Sequence, residues 1–159
     1  MNILNFIMMC GQHTESAAYR YWRLRITQGN GGGQIRISEL DFSTTAPAYT
    51  RATDSTLSSP NITSGSPDAW PGNMLDQNLN TYCLWNYNPS TGLPVDITAT
   101  FPTARSFLQM RIGIPALTSA APIKFEVHGS NDNTNWKLIK DVPLTTNWST
   151  SELKTFQLT

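Results

Sequence analysis

The chain has 159 residues, with 11 basic and 11 acidic side chains and a formal net charge of zero. That length suits one domain with a packed core, and the neutral balance leaves no electrostatic footprint for nucleic acid or for an anionic membrane. Charged residues make up only 14%, while Ser, Thr, Asn and Gly are plentiful, which favours an all-β domain with long polar loops over a helical bundle.

The chain opens on "MNILNFIMMCGQ" (1–12). This run lacks a basic start and falls well short of the roughly 20 apolar residues of a membrane span, so neither a signal peptide nor membrane insertion is expected. Ile3, Leu4, Phe6, Ile7, Met8 and Met9 are nearly contiguous. Residues 1–18 therefore read as an arm that docks on other subunits or drives oligomerisation, and residues 19–159 as the domain proper. Cys10 and His13 make half a zinc site, and no second half follows. Cys10 and Cys83 read as reduced thiols, with a single disulfide as the alternative.

Strand-like alternation dominates from there. "YWRLRIT" (21–27) places Trp22, Leu24 and Ile26 on one face and Arg23 and Arg25 on the other. "GNGGGQ" (29–34) reads as a flexible hairpin loop, with no helix N-terminus behind it to hold phosphate. In "QIRISELDF" (34–42) the apolar parity slips between Ile37 and Leu40. A bulge at Ser38–Glu39 would explain the slip and re-aim Glu39; an edge strand with a mixed face is the alternative. One short helical turn is expected near 73–76 and a short strand at 81–86. Clean alternation returns in 94–101 (Val95, Ile97, Ala99, Phe101), 107–114 (Leu108, Met110, Ile112, Ile114) and 123–129 (Ile123, Phe125, Val127). Short strands at 136–140 and 153–158 complete seven to nine, the pattern of a β-sandwich.

Chemistry-bearing motifs are absent. There is no H-E-x-x-H, no G-x-S-x-G and no phosphate loop with lysine, and both histidines read as exposed, His128 on the polar face of its strand. No enzymatic activity is expected. Three aromatics fall in loops instead: Trp70 in "PDAWPGN", Tyr87 beside Asn86 in "WNYNPSTG", and Trp148 in "TTNWSTS". Rings flanked by amides and hydroxyls are what sugar recognition uses. For each ring, a lid over one end of the sandwich is the alternative.

Three segments carry a resemblance. "IKFEVHGSNDNTNW" (123–136) is similar to the strand, S-N-D-G turn and tryptophan of discoidin domains, the coagulation-factor C-type or galactose-binding-like family, with Ser130, Asn131, Asp132 and Trp136 matching and Asn133 in the glycine slot. The tryptophan is expected to return and cap the core. "MLDQNLNTYCLW" (74–85) resembles the family's A-x-D-G-N-x-x-T-x-W loop through Asp76, Asn78 and Thr81, with Gln77 for the glycine and Trp85 displaced by two. "YWRLRIT…ISELDF" looks like the family's closing strands, placed first.

The resemblance implies a permuted jelly-roll β-sandwich of the kind found in phage and bacterial surface proteins. It further implies a virion-associated or extracellular attachment module (tail fibre, baseplate or decoration protein) that binds cell-surface glycans, or a purely structural virion assembly protein. It also implies structural calcium, held by side chains of Glu39, Asp76 and Thr81 and by carbonyls of Leu75 and Asn78; a loop closed by its own Asx-turns is the alternative. Sugar-binding members often carry an arginine after the strand that here reads "LQMRIGI", and this chain continues "PALTSAAP" with none.

Overall fold

Period-two alternation decides where the long strands lie, because each one must bury a single face. The computed structural model describes residues 17–66, 70–86, 92–145 and 147–159. The arm residues Ile3, Leu4, Phe6, Ile7, Met8 and Met9, together with Cys10, His13 and Tyr87, lie outside them. Eleven strands occur among the described residues: β1 (Tyr19–Gly29), β2 (Gln34–Ile37), β3 (Glu39–Ser43), β4 (Thr56–Ser58), β5 (Ser64–Ser66), β6 (Tyr82–Asn86), β7 (Val95–Arg105), β8 (Gln109–Gly113), β9 (Pro122–Ser130), β10 (Lys137–Val142) and β11 (Leu153–Gln157). Among the described residues helical structure is limited to 3-10 turns at Pro71–Met74 and Thr118–Ala120, and none of it is long and apolar enough to cross a membrane.

All pairings are antiparallel. One sheet has the order β10-β9-β1-β7-β4; two smaller ones have the orders β11-β8-β3 and β2-β6-β5. The chain is an all-β sandwich around one core. Trp22 of β1 meets Phe42 of β3 at 5.8 Å between ring centres, and Phe125 of β9 meets Phe156 of β11 edge-on at 5.0 Å. These ring pairs join the five-stranded sheet to the layer opposite.

The parity slip is a joint between sheets. β2 ends at Ile37 and pairs with β6; β3 begins at Glu39 and pairs with β8. Ser38 lies between them, its N–H donated to the Gly113 carbonyl at 2.8 Å and its hydroxyl to the Leu79 carbonyl at 3.1 Å. The joint lets β3 bury both of its faces: Leu40 and Phe42 face the core, while Glu39, Asp41 and Ser43 are buried on the other side.

Four local expectations need correction. The Gly-rich loop is no hairpin: it carries the chain from β1 in the large sheet to β2 in a small one, and is tied to the Thr118–Ala120 turn by Gly32 N–H to the Ser119 carbonyl. Ahead of β8 the fully buried ring is Phe107, while Leu108 is half-buried and gives its N–H to Ser43. Trp136 does not cap the core. It lies on the outer face under the Arg23 guanidinium, 4.2 Å from the ring centre. His128 shares that outer face but is largely covered, with Nε2 2.7 Å from Glu126.

Candidate functional site

Segment 70–81 and the outer face of β3 meet in one region. The 3-10 turn at Pro71–Met74 opens on Trp70, whose carbonyl accepts the Asn73 N–H at 2.9 Å and the Cys83 thiol at 3.1 Å. Burial pushes that thiol up to about 11, so Cys83 is an inert packing group. The Trp70 side chain is 68% exposed. Its indole lies across Gly72, where an added Cβ would sit 2.2 Å from Nε1, so only glycine admits this ring position. Beside the indole runs a groove of about 390 Å³ lined by Ser55, Thr56, Leu57, Pro71, Gly72 and Leu75.

The following loop is closed by its own side chains. Asp76 Oδ1 accepts the Asn78 N–H at 2.9 Å and Oδ2 accepts the Thr81 hydroxyl at 2.7 Å. The Asn78 carbonyl accepts the Thr81 N–H and lies 2.8 Å from the Thr81 hydroxyl oxygen, whose one proton it shares with Asp76. Gln77, in the glycine slot of the resembling motif, takes φ +61°. Glu39 reaches the loop from β3 through Oε1, which accepts the Asn78 N–H at 2.9 Å. Its Oε2 is buried with no hydrogen-bond partner.

A second polar cluster adjoins this one. Asp41 pairs across the ladder with Arg111, Nε to Oδ1 at 3.2 Å and Nη2 to Oδ2 at 3.3 Å. The loop after β3 folds back through the Ser43–Arg51 bridge and sets Tyr49 and Arg51 against the same carboxylate. Arg111 stacks on the Tyr49 ring at 3.6 Å. Burial, and then the hydrogen bond to Asp41, hold the Tyr49 phenol well above its usual range. Glu39, Asp41, Gln77, Leu79, Arg111 and Leu153 line a groove of about 250 Å³ here.

Of the expected metal donors, Glu39, Asp76, Asn78 and Thr81 converge. The Leu75 carbonyl is taken instead by Nη2 of Arg51. Among the described residues no group of three or more His, Cys, Asp or Glu could hold a metal ion. The loop's other expected donors already take part in hydrogen bonds within the loop or with Glu39, where calcium would need six to eight oxygens turned toward one point.

Of the expected sugar contacts, Trp70 and Asn86 are exposed and Tyr87 lies outside the described residues. Asn86 borders a recess of only about 80 Å³ with Pro60, Asn61 and Pro94. Trp148 is no surface ring: it is 7% exposed, packs against Phe156 and gives its Nε1–H to the Pro122 carbonyl at 2.8 Å. Sequence reasoning missed Asp41, Tyr49 and Arg51. Strand parity could have paired Glu39 with Asp41 on one face, but no local signal brings Arg51 back to them.

Glu39 carries a pH signature. Burial, reinforced by nearby Asp76, lifts its carboxyl to about 7 against the opposing pull of the Asn78 N–H and Arg51. Between the unfolded value near 4.5 and about 7, the folded chain holds a proton that the unfolded chain has released. Stability from this group is therefore complete below that window and is lost as pH rises through it, by at most about 3 kcal/mol. Asp132 and Glu152 are held below their usual range, Asp132 chiefly by the side-chain and backbone N–H groups of Asn135 and Glu152 by the Ser149 N–H, so they act at lower pH. Melts from pH 4.5 to 8 should show Tm falling in the wild type and a distinctly shallower fall in Glu39→Gln; parallel curves would remove the assignment.

No family model matches the chain, and the curated proteins and solved structures compared with it give no match either.

Proposed function

We propose that the chain is a non-enzymatic attachment module on a galactose-binding-like jelly roll, displayed on a virion or other extracellular surface, and that it binds a cell-surface glycan at Trp70. One observation carries the reading: an exposed indole, its Nε1–Cδ1 edge set against Gly72, beside a groove walled by Ser55, Thr56 and Leu57. Such a ring offers a face to the C–H side of a sugar, and the two hydroxyls offer hydrogen bonds to it. The discoidin-like residues of the 123–136 turn and the 74–85 loop support the fold assignment. Anchorage to other virion subunits falls to the arm, residues 1–18.

A second reading, a structural assembly protein, is favoured by the exposed leucines at and after the edge strand β10, Leu138 and Leu144. A glycan array separates the two. Wild-type protein is expected to bind a restricted set of glycans, and Trp70→Ala to lose roughly tenfold or more in affinity, the scale of one ring contact. A hit unaffected by Trp70→Ala moves the site elsewhere, and an array blank for the wild type favours assembly.

A further inference from the structure

We infer that Arg51 is the built-in cation of the 75–81 loop: its guanidinium occupies the place a divalent ion would take, and the loop is pinned without metal. Three observations carry this. First, position: the Ser43–Arg51 bridge holds Arg51 beside β3, where Nη2 donates to the Leu75 carbonyl and Nε lies 3.7 Å from Asp41 Oδ2. Its side chain is only 12% exposed, so the contact is sheltered from solvent screening.

Second, the oxygens are already engaged. Both Asp76 oxygens, the Asn78 carbonyl and the Thr81 hydroxyl are bonded within the loop, and Glu39 Oε1 holds the Asn78 N–H. Glu39 Oε2 is left without a partner, and an ion entering the loop would have to share or displace the hydrogen bonds that the other oxygens already make. Third, charge: Asp41 stands between the guanidiniums of Arg51 and Arg111, and Arg51 also faces Glu39. A divalent ion entering that set would sit against the positive charge of Arg51.

The test is thermal melting of the full chain at fixed pH, with millimolar calcium chloride or with EDTA, for wild type and Arg51→Met. An ion present at a hundred times its dissociation constant would add about 2.7 kcal/mol, a shift of several degrees in a chain of this size. The wild type is expected to melt at the same temperature in both buffers, and Arg51→Met to melt several degrees lower. A calcium-dependent rise in the wild type would overturn the inference, and so would an Arg51→Met Tm equal to that of the wild type. Should Arg51→Met fail to fold, Arg51→Gln, which keeps a donor for Leu75 but no charge, is read by the same criteria.

Discussion

Trp22→Ala should destabilise the domain by about 3–5 kcal/mol, the range for removing a buried indole. Trp22 is fully buried on β1 and touches rings from three other places in the chain: Tyr19 at 5.6 Å, Phe42 at 5.8 Å and Phe107 at 5.2 Å. Its Nε1–H is donated to the Tyr19 carbonyl at 3.0 Å, so truncation orphans an acceptor as well as opening a cavity. Phe101 closes the cluster, 4.8 Å from Phe107 and 6.1 Å from Phe42. With Phe42 on the opposite layer, the indole is a tie between sheets rather than filler within one. Denaturant unfolding should show a lower midpoint at an unchanged slope. Trp22→Phe, which keeps a ring, should lose markedly less. A loss below about 1 kcal/mol for the alanine variant would mean that the layers do not meet at this cluster.

Asp41→Asn is the second large effect, expected at about 3–5 kcal/mol because it removes one side of a buried ion pair. The Asp41 side chain is 2% exposed and stands between Arg111 and Arg51, with the Tyr49 hydroxyl on the same carboxylate. The asparagine keeps the shape and loses the charge, so two guanidiniums would be left facing each other with no anion between them. Arg111→Ala should have a smaller effect, since it leaves Asp41 with Arg51 and Tyr49. Chemical unfolding of both variants and of the double variant reads the coupling. Equal losses for Asp41→Asn and Arg111→Ala would place the weight of the cluster on the strand pair alone and not on the folded-back loop.

The sheets were legible wherever one face is apolar. Trp22, Leu24 and Ile26, and again Val95, Ile97, Ala99 and Phe101, are buried in strict alternation because burial acts residue by residue along a pleat. The parity slip between Ile37 and Leu40 marked the Ser38 joint for the same reason. What was not legible depends on contacts far apart in sequence. Trp136 follows a turn that suited a core cap, yet it goes outward because Arg23, over 100 residues earlier, offers its guanidinium there. β4 and β5 are three-residue strands of mostly polar side chains, too short and too polar to carry a period. In the candidate site, Asp76, Asn78 and Thr81 stood out because Asx-turn chemistry is local. Arg51 did not, since its partners Asp41 and Leu75 lie on either side of it in the chain, and Leu75 is 24 residues away.

The outermost strand of the large sheet has a bearing on crowding. Among the described residues no strand pairs with the outer flank of β10, and along it stand Lys137, Lys140 and Asp141. A second molecule laying its own β10 against that flank would bring ammonium groups together and strip water from them, the device by which natural sheets avoid growing into ribbons. Copies of this domain brought close together would therefore meet through loops and side chains instead of fusing into a continuous sheet.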